Sequence, residues 1–232
     1  MRILVTSGGT KVDIDPVRYI MNMSKGTTGS RIAREALDMG HKVDFLTSDD
    51  GRTPFKIELD LNRNQFNSMK SILEDTRDFQ DRCRGRYQEF SYRTYDDYRT
   101  KMYALPKCFN YGAIIMCAAV SDYTVDYSEK KAKSSSEMSI DLIPTEKIID
   151  NMSEVAPKAK LVGFKLLNDC TEEELEEKCR EYLRTKNLDM MVGNDLAAMR
   201  RGEYYQIHVT AGDSVKVDRD FEEVLIDKVS TL

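Results

Sequence analysis

The chain has 232 residues, 41% of them hydrophobic and 32% charged, with a formal net charge of −5, enough to bury a sizeable core in one large domain. No apolar run approaches the ~20 residues that cross a bilayer, the chain starts directly on a strand rather than on a leader, and its acidic balance argues against broad nucleic-acid binding. Five scattered cysteines without a C-x-x-C and two distant histidines, His41 and His208, point to reduced thiols in a cytoplasm and away from a histidine-based zinc site.

Taken in order, residues 2–6 (RILVT) read as a short buried strand. A long loop fills 7–29, with glycine pairs at both ends. Residues 29–39 place Ile32, Ala33, Ala36 and Leu37 on one face of a helix that stops at Gly40. Residues 42–47 (KVDFLT) form a second strand, so the opening unit predicts a parallel pair with a right-handed crossover. A charged helix is expected over 65–83, a strand over 86–93 and a helix over 95–106 that ends near Pro106. AIIMCAAV at 113–120 has the continuous apolarity of a central parallel strand buried on both faces.

Two more short strands follow at 160–164 and 189–193. Between them a helix over 171–186 starts on Thr171, with Glu174 completing a capping box. YYQIHVT, AGDS and VKVD predict a C-terminal hairpin, and a final helix covers 219–231. The pattern as a whole predicts an α/β fold: a Rossmann-like, mainly parallel sheet with helices on both faces. Residues 123–143 are expected to form a small antiparallel flap, and 1–232 one domain, since no boundary is visible.

Three clusters carry chemistry. In the opening loop, Gly8 and Gly9 follow a strand, where backbone amides can face a phosphate, and Gly26-x-x-Gly29 opens a helix whose free N–H groups favour an anion. Asn22, Ser24 and Lys25 add two neutral donors and a charge, and Arg18 adds a planar fork for phosphate or carboxylate. The plain alternative is a surface loop with ordinary turn glycines. Ala118-Ala119-Val120-Ser121-Asp122 follows the central strand, where open parallel sheets bind ligands; small residues there admit a nucleotide, and Asp122 suits a hydroxyl, an exocyclic amine or a metal unless it only caps a turn. Lys130, Lys131 and Lys133 form either a solvated face or a phosphate-binding edge, and Lys186 is a further cation or simply a helix C-terminal charge.

The order of ILVTSGGT, DPVRYI-x-N-x-S-x-G-x-x-G, AAVSDY, the Lys-x-Lys element and VGFKLL from residue 2 to about 195 resembles phosphopantothenate–cysteine ligase. No flavin-dependent half precedes Met1, so the resemblance is to the stand-alone bacterial form. It implies a ligase of coenzyme A biosynthesis that joins 4'-phosphopantothenate to L-cysteine. The carboxylate is activated as an acyl-nucleotide, with CTP giving CMP and pyrophosphate, and with Mg²⁺ offsetting phosphate charge. It also implies a homodimer joined through the flap.

Residue by residue, the resemblance assigns Asn22 to the acyl-nucleotide, where it donates hydrogen bonds to the oxygen that gains charge. Lys131, or Lys130 one position earlier, becomes the flap lysine that faces the nucleotide phosphates. Gly8, Gly9, Ser24, Gly26, Ala118, Asp122, Lys133, Ile148, Ile149, Phe164 and Lys186 fall to the nucleotide, and Arg18 and Lys25 to the substrate phosphate or carboxylate. It names no metal ligands. Tyr182 stands where bacterial relatives carry a second helix lysine, and Lys131-Ala132-Lys133-Ser134 has one charge fewer than Lys-Ile-Lys-Lys, so ATP stays open beside CTP. The segment 63–85 is longer than the compact form requires.

Two other classes compete. An NAD(P)-dependent oxidoreductase would use Gly26-x-x-Gly29 and the acid Asp49 about 20 residues on, although Gly-x-Gly-x-x-Gly is absent. A catalytically inert nucleotide-binding or assembly protein would explain the missing lysines but not the presence of Asn22 and a flap lysine.

Overall fold

The computed structural model describes residues 1–57, 66–131 and 138–232, the side chains of 66–68 excepted. Strands β1 (Arg2–Ser7), β4 (Lys42–Ser48), β5 (Tyr87–Tyr92), β6 (Ala113–Met116), β9 (Lys160–Leu167) and β10 (Met190–Asp195) run parallel in one sheet. The antiparallel hairpin β11 (Gln206–Thr210) and β12 (Ser214–Val217) extends it in the order β12-β11-β10-β9-β6-β1-β4-β5. The chain moves outward from β1 on one side, then returns to lay β6 on the other, so the β1/β6 boundary is the switch point where such sheets open toward ligands.

Alternation along the strands divides the core. Ile3, Val5, Val43, Phe45, Ile115 and Val192 face helices α1 (Thr27–Asp38), α2 (Phe66–Arg82) and α7 (Phe221–Thr231); Leu4, Leu46, Ile114, Leu161 and Met191 face α3 (Tyr95–Cys108) and α5 (Glu172–Thr185). Burial on both faces is what makes these strands read as continuous apolar runs. The long segment 63–85 supplies α2, whose Phe79 packs against Phe55 at 5.4 Å and under the Arg34 guanidinium at 4.1 Å, closing the sheet over β4.

The structure differs from the expected elements in four places. The opening loop is not a loop: β2 (Lys11–Asp15) and β3 (Arg18–Met21) pair antiparallel, with Asp15 Oδ1 accepting from the amides of Val17 and Arg18 at 2.9 Å to close the turn. Its anchors are distant in sequence, Lys11 on Asp49 and Asp50 and Arg93 on Asp13, so local periodicity does not reveal it. Helix α3 continues through Pro106 to Cys108, giving up the hydrogen bond that an amide at 106 would make to the Met102 carbonyl. The strand expected over 113–120 ends at Met116, since the Ala118 amide turns to the Thr6 hydroxyl at 3.2 Å instead of a strand neighbour. Strand β9 runs three residues beyond Phe164, to Leu167.

The Thr171–Glu174 capping box forms in both directions, at 3.2 and 2.9 Å, and the C-terminal hairpin and helix stand where expected. At the flap, β7 (Tyr123–Thr124) pairs antiparallel with β8 (Ile143–Pro144). Lys133, with Ala132 and Ser134, lies outside the described residues. Cys83 and Cys179 are buried, and Cys108 is exposed. No helix among the described residues is long and apolar enough to cross a membrane.

Candidate functional site

Beyond the carboxyl ends of β1 and β6 the two chain segments stay together. The Ala119 amide donates to Gly8 O at 2.8 Å, and the Thr10 amide donates to Ala119 O at 3.2 Å. The Thr10 hydroxyl accepts from the Ser121 amide at 2.8 Å. Asn22, at the end of the β2–β3 hairpin, donates from Nδ2 to the same Ala119 carbonyl at 3.0 Å. The opening segment and the Ala118–Asp122 segment, a hundred residues apart in sequence, therefore meet at the switch point.

Closure requires glycine at two positions. Gly8 has φ +85°, and a Cβ there would sit 2.1 Å from Ser48 Oγ; Gly26 has φ +75°, and its Cβ would meet Ser7 Oγ at 2.6 Å. Ser7 Oγ donates to Gly26 O at 2.9 Å. Gly8, Gly9 and Gly26 are buried under the returning chain, Ser24 is half-buried, and Lys25 is exposed.

A cleft of about 250 Å³ opens on the other side of Ala118. Ala118, Val120 and Asp122 form one wall, and residues 145–149, just ahead of the short helix α4 (Met152–Val155), form the second. Phe164 and Lys165 of β9 form the third, with Tyr182 and Lys186 closing it from α5. Tyr98 and Met116 make the floor; Tyr98 donates to the Thr6 hydroxyl at 3.3 Å, and burial pushes its phenol pKa up. Of the expected residues, Ala118, Asp122, Ile148, Ile149, Phe164 and Lys186 share this cleft. Asp122 pairs with Lys147, and Lys186 pairs with Asp150 at 2.9 Å.

Other expected residues stand apart from the cleft. Lys130 and Lys131 are exposed beyond β7; Ser128, just before them, donates its amide to Ile14 O of the hairpin at 2.9 Å. Arg18 lies 3.7 Å from Asp15 and 3.7 Å from the Met138 sulfur. Two cleft lysines receive no role from the sequence: Lys147 sits inside TEKII, and Lys165 sits inside VGFKLL, directly after Phe164. The signal for Lys165 is a charge inside a buried strand that continues past it.

Asp49, the acid that an NAD(P) site would use, instead holds the buried Lys11 ammonium at 2.7 Å, with Asp50 at 3.2 Å. Burial pulls the Lys11 pKa down, but hydrogen bonds and charge from both carboxylates outweigh it and leave the pKa raised. The pair fixes the hairpin to the end of β4. Burial pushes the Cys117 thiol up, which disfavours its nucleophilic thiolate at neutral pH.

A family described as the DNA/pantothenate metabolism flavoprotein C-terminal domain matches residues 1–83 and 99–219. The coenzyme A biosynthesis bifunctional protein CoaBC of Thermococcus kodakarensis is 31% identical over 228 residues, covering 97% of this chain and 46% of its own length. The phosphopantothenate–cysteine ligase CAB2 of Saccharomyces cerevisiae is 26% identical over 280 residues, covering 98% of this chain and 74% of its own. A solved structure of a Cab2 mutant in complex with phosphopantothenate-cysteine superposes with a TM-score of 0.82 at 25% identity, covering 99% of this chain and 85% of that one. The chain spans about half the length of the bifunctional relatives it matches.

Proposed function

The chain belongs to the DNA/pantothenate metabolism flavoprotein C-terminal domain family, and on that premise we propose that it is a phosphopantothenate–cysteine ligase of coenzyme A biosynthesis, acting as one nucleotide-binding domain over residues 1–232. The observation that carries the reading is a cleft lined by Ala118, Asp122, Phe164 and Lys186, with Asn22 holding the carbonyl of Ala119, the residue that follows Ala118 in the chain. Such an arrangement holds an acyl group beside a polyanion.

The carboxylate of 4'-phosphopantothenate attacks the α-phosphorus of a nucleoside triphosphate, CTP in the first instance and ATP in the second, and pyrophosphate leaves. The amine of L-cysteine then attacks the acyl carbon, and the nucleoside monophosphate leaves with one former carboxylate oxygen. Asn22 Nδ2 carries two hydrogens; one is directed at Ala119 O and fixes the amide, and the other serves the acyl oxygen as it gains charge. Ser24 and the buried Gly8, Gly9 and Gly26 shape the turn beside it, and Arg18 and Lys25 stand at the exposed end for the substrate's phosphate or carboxylate.

Among the described residues no group of three or more His, Cys, Asp or Glu is placed to hold a metal ion. Mg²⁺ binds through one or two carboxylates together with substrate phosphates. In this reading Asp122 and Glu146, the carboxylates of the cleft, would hold Mg²⁺ together with the nucleotide, and the ion would supply neutralisation of phosphate charge.

The flap lysines Lys130 and Lys131 do not line the cleft of their own chain. The hairpin and flap expose Val17, Tyr19, Ile20, Met23, Tyr127 and Leu142 on neighbouring segments, an apolar surface that suits a second copy. The reading is a homodimer in which each flap serves the partner's site. Five unpaired cysteines are in keeping with the cytoplasm.

Pyrophosphate release tests the reading: purified protein with 4'-phosphopantothenate, L-cysteine, Mg²⁺ and each of four nucleoside triphosphates in turn. Release with CTP or ATP that requires phosphopantothenate supports it. Silence with all four overturns it in favour of an inert nucleotide-binding protein, and saturable quenching of NADPH fluorescence would favour an oxidoreductase.

A further inference from the structure

We infer that Lys165 is the cation that receives the nucleotide's polyphosphate in this cleft and that Tyr182 positions it. The inference rests on the nucleotide-binding reading of the same cleft.

The cleft wall carries three lysines, Lys147, Lys165 and Lys186. Two already have carboxylate partners, Lys147 on Asp122 and Lys186 on Asp150 at 2.9 Å. A phosphate approaching either one competes with an existing ion pair. Lys165 differs: no carboxylate among the described residues lies within ion-pair distance of it. Its ammonium donates to the Tyr182 hydroxyl at 3.2 Å and lies 4.5 Å from the centroid of the same ring. A ring face and a hydroxyl hold an ammonium in place without cancelling its charge, whereas a carboxylate would cancel it. Lysine otherwise carries its charge on a flexible stem, and restraint of that stem in advance lowers the cost of ordering it on a ligand.

The backbone explains how Tyr182 reaches that position. Lys165 of β9 stands in register with Gly193 of β10. A Cβ at Gly193 would sit 2.9 Å from Cys179 Sγ and 2.9 Å from Leu175 Cγ, so the bare glycine lets α5 settle close to the sheet. Tyr182 follows Cys179 by three residues, on the same side of the helix, and is thereby lowered over Lys165. Phe164 precedes Lys165 on the strand and also lines the cleft, so one strand offers the nucleotide an apolar ring and a charge.

The test is equilibrium binding by calorimetry of CTP, ATP and CMP to the full chain, without turnover. Comparison of triphosphate with monophosphate separates a polyphosphate contact from a general change in the pocket. Lys165→Gln is expected to weaken binding of whichever triphosphate the parent takes by about tenfold or more, the size of one charge-assisted hydrogen bond, while leaving CMP nearly unchanged. It is also expected to flatten the salt dependence of triphosphate binding. Lys165→Arg restores most of the loss. Tyr182→Phe keeps the ring but removes the hydroxyl, and gives a smaller loss confined to triphosphates. Lys165→Met, which keeps the stem, repeats the measurement should the glutamine variant melt below the parent.

Equal losses for CMP and triphosphate, or no loss for either, overturn the inference while the ligase reading stands. A folded parent that binds no nucleoside triphosphate overturns the ligase reading and this inference with it.

Discussion

At the amino ends of the parallel strands, the buried Asp44 of β4 accepts from Arg2 Nε and Nη2 at 3.0 and 2.9 Å and from the Tyr111 hydroxyl at 2.5 Å, and the Arg2 guanidinium lies 3.8 Å from the Phe109 ring centroid. At the carboxyl ends, Lys165 of β9 meets a hydroxyl and a ring but, among the described residues, no carboxylate within ion-pair distance, Asp122 is exposed beside its Lys147 partner, and Asn22 spends one amide hydrogen on a backbone carbonyl. The same sheet buries a fully partnered charge cluster on Asp44 at one end and leaves donors available in the cleft at the other. A satisfied charge network specifies packing. An unsatisfied one at a solvent-accessible edge is poised for a ligand. The difference separates residues that fold the protein from residues that serve the proposed reaction, and substitutions at the two ends should give opposite signatures.

The largest effect is expected from Asn22→Ala at the carboxyl end. Loss of a donor to an oxygen that gains charge slows turnover by about 10²-fold or more, with stability and nucleotide affinity little changed; single-turnover kinetics beside a urea melt would show it. Turnover at the parent rate would remove Asn22 from the reaction. Asp44→Ala at the amino end should do the reverse. It leaves the Arg2 guanidinium and the Tyr111 hydroxyl without their shared acceptor and costs about 3 kcal/mol of stability, read as a lower urea midpoint. Activity per folded molecule should be unchanged below that midpoint.

His208, in the middle of β11, sharpens the comparison because it serves neither end. It is fully buried, with Nε2 2.9 Å from Gln206 Oε1 and, among the described residues, no partner for Nδ1. Burial first, and the charge of Lys228 second, lower its pKa from 6.5 to about 4. Between those values the unfolded chain binds the proton and the folded chain does not, so stability contributed above pH 6.5 is lost as pH falls toward 4, by about 3 kcal/mol. The difference in urea midpoint between the parent and His208→Leu should therefore shrink as pH falls through that window. A constant difference would contradict the buried neutral imidazole. The smallest effect is expected from Thr171→Ala, which removes one half of the α5 capping box and costs about 1 kcal/mol, without the triphosphate-specific loss expected at Tyr182 near the other end of the same helix.

The parallel strands were legible because burial on both faces leaves an apolar run that composition alone exposes, as in Ile3-Leu4-Val5 and Ala113–Met116. Capping and hairpin signals were legible because they are local, as with Thr171 and Glu174. The β2–β3 hairpin was not, because ion pairs to Asp49, Asp50 and Arg93 anchor it, and none of these is near it in sequence. Part of the cleft followed from motifs: Ala118, Asp122, Ile148, Ile149, Phe164 and Lys186 meet in it. Lys165 stands in VGFKLL but drew no role from it, because its meaning depends on Gly193 admitting α5 to the sheet, a contact between elements that no window of residues contains. Tyr182 looked like a lost charge for the same reason; in three dimensions it stands on a charge supplied by a neighbouring strand.

The account's central claim is that a carboxylate is activated as an acyl-nucleotide beside this cleft, and the fate of oxygen tests it most directly. The protein would turn over 4'-phosphopantothenate labelled with ¹⁸O in its carboxylate, with L-cysteine, Mg²⁺ and the triphosphate it accepts, and the products would be weighed by mass spectrometry. The account predicts one labelled oxygen in the phosphate of the nucleoside monophosphate and none in pyrophosphate. Label in inorganic phosphate or pyrophosphate, or an unlabelled monophosphate, would contradict it.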